Sequence, residues 1–375
     1  MKFTVNTQEL KTAMGIVSKN ISAKSNLPIL CNVKLQQNIN GDIILTGASQ
    51  ENTLSVVCPM GDVEDWRDIC IDAALLNSAL STLGNQRVSV EVKGSEAVIT
   101  YATGHFSFAV FDVVEFPTPP AIPTDAPTLH LSTDVLLSAM RTCKAFVAND
   151  ELRPVMNGIC MDLVPSVLTF AASDGHKLVR KSFPEVNTTD HSGTLIISQP
   201  TAALLQLMPK GADLTVTFTD AHVMFETNGF TLTARLIEGR FPNYNSVIPT
   251  GNPYHVEVSR SELQAALRRV SAMGNQSHGL IHLAVKRDLM GQVLAVQAEN
   301  RDFSTSGYET VTAESNMENE LHIGFNSTTL LGLLATHTTD RVRLALADPT
   351  RAGVMTDVDG DENLLTLAMP MMLND

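Results

Sequence analysis

Phe3-Thr4-Val5 followed by Leu10, Ala13 and Met14; Leu129-His130-Leu131 followed by Leu136, Ala139 and Met140; Val256-Glu257-Val258 followed by Leu263, Ala266 and Leu267: one pattern occurs three times, at spacings of 126 and 127 residues. Each occurrence is a short strand, a polar turn and a Leu-x-x-Ala-apolar stripe at helical spacing. A long and regular period of this kind marks repeated structural units. The elements after each stripe recur in the same order. A strand runs into a polar turn at Ile43–Thr46, Leu168–Ala171 and Val293–Ala298, and a strand runs into a second leucine-rich helix at Ile69–Gly84, Leu195–Gly211 and Leu321–His337. Alternating strands then close each unit: Val88–Val92, Leu214–Phe218 and Val342–Leu346. Their period of two turns one face inward.

Each unit therefore reads as two helices and about eight strands, an α+β fold repeated three times. The joints are Phe116-Pro117-Thr118-Pro119-Pro120-Ala121-Ile122-Pro123 and Phe241-Pro242-Asn243-Tyr244-Asn245-Ser246-Val247-Ile248-Pro249, whose prolines break regular structure. They place the expected domains at 1–125, 126–252 and 253–375, which suits a chain of 375 residues. With two helices packed on one sheet face per unit, three units in a row present helices on one side and sheets on the other. Such an arc leaves a free sheet edge at each end, and closing into a ring with a second copy removes both.

The composition is that of a soluble globular protein: 44% of residues are hydrophobic, 18% are charged, and no apolar run approaches the length needed to cross a bilayer. Met1–Asn6 alternates apolar and polar, where a signal peptide would show a basic start and a continuous apolar stretch. The expectation is a cytoplasmic protein folded from its first residues. Five cysteines, Cys31, Cys58, Cys70, Cys143 and Cys160, share no C-x-x-C spacing and mostly sit in apolar runs, so buried thiols are expected. The formal charge of −14 argues against DNA binding by the whole surface, yet an encircling protein needs cations only on its inner face.

Seven segments, taken in order on this threefold repeat, resemble the β-type sliding clamp of bacterial DNA polymerase III over essentially the full length. They are Met1–Val5; Leu27-Pro28-Ile29-Leu30 with Asn32; Arg153 with Met156-Asn157-Gly158; Ser173-Asp174-Gly175-His176-Lys177-Leu178; Glu238–Tyr244; Ile323-Gly324-Phe325-Asn326; and Met369-Pro370-Met371. The resemblance implies a head-to-tail homodimer, a six-domain ring around a hole lined by twelve helices. It also implies loading on duplex DNA by an ATP-driven clamp loader, and a peptide-binding pocket between the second and third domains. That pocket would serve the loader, the replicative and translesion polymerases, and mismatch-repair and ligase-type clients. Carried over position by position, it comprises Met156, Ser173, Gly175, His176, Lys177, Leu178, Pro242, Val247, Asn326, Thr329, Met369, Pro370, Met371 and Met372. Flexible apolar side chains suit a groove that accepts several related linear motifs. The same carry-over puts Phe106 and Phe108 against Ala272 and Met273 at the dimer contact, although alternation on one strand face fits ordinary core equally well. The chain departs from the family in two places. Met372 stands where a basic residue and leucine often follow Met-Pro-Met, with Leu373-Asn374-Asp375 adding an acidic tail, and Ser246 replaces a basic residue in the second joint.

The cations expected to face DNA are Lys11, Lys19 and Lys24 in the first unit, Arg141, Lys144 and Lys210 in the second, and Arg268 and Arg269 in the third. Loose attraction to phosphates without base contacts would let the protein slide. A hydrolase and a scaffold that never encircles DNA are the competing readings. Ser173-Asp174-Gly175-His176 holds the residue types of a triad, but neighbours on one strand-to-turn segment cannot easily reach nucleophile, base and orienter geometry. His278 and His282 lack the glutamate of a zinc-protease helix, and Asp357–Glu362 reads as a hairpin turn on Asp359-Gly360 and not as a calcium loop. There is no phosphate loop, and neither a catalytic residue, a cofactor nor a metal is expected.

Overall fold

The computed structural model describes the chain except for residues 23, 187–191, 289, 290, 318, 319, 374 and 375. The acidic tail at Asn374 and Asp375 thus lies outside the described residues. Six α-helices occur among those described: α1 (Thr7–Val17), α2 (Ala73–Thr82), α3 (Thr133–Cys143), α4 (Gln199–Leu205), α5 (Arg260–Ser271) and α6 (Ser327–Thr336). They fall two to a repeat. The stripe that defines the repeat is the buried face of the first helix each time: Leu10, Ala13 and Met14; Leu136, Ala139 and Met140; Leu263, Ala266 and Leu267 are all at most 4% exposed. Burying each large side chain of this stripe contributes about 1.5–3 kcal/mol, which local propensity alone could not supply to helices of this length. Side-chain caps fix the starts, with Asn6, Asp72, Ser259 and Asn326 each accepting from a first-turn amide. The helix α4 is the shortest of the six, with Pro200 in its first turn, where proline is tolerated, and Pro209 four residues past its end.

The chain divides into two compact units, one of residues 1–138 and 200–237, the other of residues 139–199 and 238–375. Three sequence repeats thus build two units. Each unit is organised on one antiparallel sheet. The first has thirteen strands and the second twelve, among the described residues. In the first unit Phe230–Arg235, from the middle repeat, pairs with Asn52–Cys58 of the first repeat, Phe230 opposite Val56 and Ala234 opposite Asn52. In the second unit Lys177–Phe183, also from the middle repeat, pairs with Leu364–Ala368 of the third, Lys177 opposite Ala368. The middle repeat contributes four strands to each sheet.

All five cysteines are unpaired thiols, four of them buried and Cys31 half-buried. Burial pushes Cys58 and Cys70 up to about 12, so neither is a thiolate at neutral pH. Asp359 takes a left-handed conformation in the hairpin that joins Gly353–Asp357 to Leu364–Ala368, as the Asp359-Gly360 reading requires. No helix among the described residues is long and apolar enough to cross a membrane.

Candidate functional site

All fourteen expected pocket residues lie in the second unit, on four segments and the start of α6. The first is the turn between Val167–Ser173 and Lys177–Phe183. Its polar side chains build the turn itself. The Ser173 hydroxyl donates to the Lys177 carbonyl at 2.8 Å and accepts from the Gly175 amide at 3.1 Å. The Asp174 carboxylate accepts from the His176 and Lys177 amides at 2.8 and 2.9 Å. Gly175 has φ +94°, and a Cβ there would meet the Arg153 guanidinium at 3.1 Å. The Ser173 proton is therefore spent on the main chain and not presented to an imidazole, which removes the hydrolase arrangement. His278 lies in a turn and His282 on the strand Leu280–Asp288, so these two do not share a helix.

Arg153 ties the second segment to this turn. Its Nε donates to Asp150 at 2.7 Å and its Nη2 to the Asp174 carbonyl at 3.4 Å, just ahead of the short helical turn Pro154–Asn157 that buries Met156. Lys177 extends its ammonium over the ring of buried Phe146, 5.6 Å from the centroid. The third segment is the joint. Phe241 and Tyr244 are buried, and the Tyr244 hydroxyl donates to Asp162 at 2.7 Å, so Pro242 and Val247 are left at the surface with Val247 56% exposed. Burial and the Asp162 carboxylate both push the Tyr244 phenol upward, which keeps it a donor.

The fourth segment runs past the last strand. The Met369 amide donates to the His176 carbonyl at 2.7 Å, and the Met371 amide donates to Gly324 at 2.8 Å. A Cβ on Gly324 would stand 2.6 Å from the Met371 carbonyl oxygen and 3.0 Å from both Leu280 and Leu373, so only glycine admits this approach. Asn326 caps α6 through the Thr329 amide and donates to the His278 carbonyl. Of the expected residues, Met369, Met372 and Val247 are 41%, 85% and 56% exposed, while Leu178 and Met156 are buried at 2% and 6%. Arg153 joins the second segment to the turn, and Leu280 and Leu373 flank Gly324; none of these three was among the expected pocket residues. No local spacing marks these contacts, which join segments far apart in the sequence.

At the expected dimer contact, Phe108 is buried and Phe106 half-buried on the strand Gly104–Phe111 of the first unit, while Ala272 and Met273 are exposed in the second. Of the expected DNA-facing cations, Lys19, Lys24 and Lys210 are exposed in the first unit and Arg141, Lys144 and Arg268 in the second. Lys11 is half-buried, donating to the Ser81 carbonyl at 3.3 Å, and Arg269 is held by both carboxylate oxygens of Glu309.

Three family descriptions match consecutive stretches of the chain: the N-terminal domain of the DNA polymerase III beta subunit over residues 1–120, its central domain over 130–243, and its C-terminal domain over 245–372. Among similar proteins are those named beta sliding clamp from Synechococcus elongatus, 29% identical with both chains covered in full, and from Bacillus subtilis, 22% identical over 99% of each. The fold superposes on a crystal structure of the Pseudomonas aeruginosa DNA polymerase sliding clamp with TM-score 0.92 at 24% identity, each chain covered in full. It superposes on the Thermotoga maritima DNA polymerase III beta subunit with TM-score 0.88 at 21% identity, again over both full chains. The chain belongs to the DNA polymerase III beta subunit family, the sliding clamps, and its part in replication is that of a non-catalytic processivity factor.

Proposed function

We propose that two copies of this chain close head to tail into a ring around duplex DNA, and that the groove from Met156 to Met372 docks linear segments of the clamp loader, the polymerases and repair clients. Three domains per copy, divided near residues 125 and 252, would give six around the hole, in the cytoplasm. The observation that carries the ring is a pair of half-paired strands. Gly104–Phe111 is bonded along one side to Glu96–Tyr101, but on the other only at Val110 and Phe111. Thr305–Ser315 is bonded along one side to Gly291–Asn300, but on the other only from Ala313 to Ser315. Open edges of this length invite a partner strand.

The two junctions inside the chain supply the register. Lys177–Phe183 and Asn52–Cys58 each come directly after the polar turn of their repeat, and each pairs with the last strand of the next repeat. The same offset, applied to Thr305–Ser315 and Gly104–Phe111 of a second copy, sets Thr305 opposite Ser107 and Ser306 opposite Phe106. Met273 lies at this edge, where its carbonyl accepts from the Thr305 hydroxyl at 2.8 Å. Exposed cations such as Lys19, Lys24, Arg141 and Arg268 would meet the phosphates loosely, without reading bases.

The experiment is retention on DNA. Protein loaded onto a closed circle should stay through gel filtration and be released when the circle is cut once. Equal retention on linear DNA with free ends would overturn encirclement.

A further inference from the structure

In the first unit a concavity of about 810 Å³ opens beside the start of α2. Ile29, Phe111 and Val114 supply its apolar surface, with Phe111 48% and Val114 82% exposed, and Asp72, Asp112 and Glu115 line it without any cation among the lining residues.

This place repeats one wall of the docking groove. Phe111 pairs with Cys70, two residues before Asp72, whose carboxylate caps α2 at the Leu75 amide. Met371 bridges to Gly324, two residues before Asn326, whose side chain caps α6. Phe111 thus stands where Met371 stands in the third repeat, Asp112 where Met372 stands, and Asp72 where Asn326 stands. The form recurs, but the charge differs: in the second unit Arg153 and Lys177 are each paired with a carboxylate, Asp150 and Asp174, whereas this concavity offers three carboxylates and no cation beside exposed apolar surface.

We propose that this concavity is a second peptide-docking site, one that takes a short extended segment in which Lys or Arg flanks a Leu or Phe. The apolar side chain covers Ile29, Phe111 and Val114, and the flanking cations meet Asp112, Glu115 and Asp72. An exposed ion pair alone is weak, so neither part suffices without the other.

The test uses the full chain and two fluorescein-labelled peptide amides, acetyl-Lys-Leu-Phe-Lys and acetyl-Glu-Leu-Phe-Glu, followed by anisotropy. The lysine peptide should bind roughly tenfold tighter than the glutamate peptide, and roughly tenfold more weakly to Asp112→Lys/Glu115→Lys. Neither substituted residue caps a helix or lies in the core. Binding should also slow maleimide labelling of Cys31, which lines the concavity and is the one cysteine not buried. Equal affinity for the two peptides, or no effect of the double substitution, overturns the proposal. So does loss of binding in Met369→Ser/Met372→Ser, which would put the peptide in the other groove. In the proposed ring the register sets Arg301 of a second copy opposite Phe111, so the titration is made at concentrations where the dimer has formed, and a dimer that no longer binds the lysine peptide also overturns the proposal. A chain that binds the peptide but remains a monomer would sink the ring and leave this site standing.

Discussion

The main-chain amide of Met371 donates to the carbonyl of Gly324 at 2.8 Å, and this bond holds the Met369-Pro370-Met371 segment against the third repeat. Any side chain at position 324 would occupy the place of the Met371 carbonyl. Gly324→Val is therefore expected to displace the segment and weaken a client peptide by about 10-fold or more, a loss of at least ~1.4 kcal/mol. Circular dichroism should show the fold retained, and peptide anisotropy would read the loss. Unchanged affinity would mean that the segment contributes nothing to the groove.

Register at the proposed ring contact can be tested chemically. Thr305→Cys and Ser107→Cys, placed together in one chain, should cross-link two copies under mild oxidation, because directly opposed strand residues bring their Cβ atoms to about 4.5–5.5 Å. Four of the native thiols are buried and should not compete. Moving one cysteine to Ser306 should reduce the yield sharply, since it shifts the side chain to the other sheet face. Equal yields from both pairs would refute the register.

The phenol of Tyr244 and the carboxylate of Asp162 form a polar tether of the joint in the second unit. Tyr244→Phe removes the donor and leaves an acceptor poorly satisfied, at an expected cost of about 1.5–3 kcal/mol. Urea denaturation would read it as a lower midpoint with unchanged slope.

His337 provides a pH test. Its Nε2 lies 2.9 Å from the Thr366 hydroxyl, and its Nδ1 is 3.2 Å from Asp357 but off the line of a hydrogen bond. Thr339 donates to the same Asp357 oxygen. Burial disfavours the imidazolium and Asp357 offsets only part of that, so the histidine titrates below its ordinary 6.5. The unfolded chain then takes up this proton at a higher pH than the folded one. Stability is complete above roughly pH 6.5 and lost as pH falls toward the folded value. The urea midpoint should decline more steeply between about pH 7 and pH 5.5 in the parent than in His337→Gln. Parallel curves would show that another group carries the dependence.

The helical stripes were legible because they are local. Leu136, Ala139 and Met140 sit one turn apart, and nothing distant can move them to another face. Strand positions were legible for the same reason. Partners were not, because alternation at Phe230–Arg235 announces a buried face without saying that the neighbour is Asn52–Cys58. For the groove, family resemblance supplied Met369, Met371 and Met372. It left out Arg153, which only the fold shows reaching across to the Asp174 carbonyl. The sequence could not decide between core and interface for Phe106 and Phe108. Both lie on the inward face of an alternation that holds along Gly104–Phe111, and Phe106 is the less buried because the outer neighbour reaches only Val110 and Phe111.

Synthesis on the ribosome gives the border between the first two repeats a clock. Val56 waits for Phe230, which emerges roughly 170 residues later. At about 5–20 residues per second that is on the order of ten to thirty seconds. Throughout that interval the nascent chain carries an unpaired edge on a hydrophobic sheet. The middle repeat is thus the covalent cap that ends the exposure, and faster synthesis shortens it.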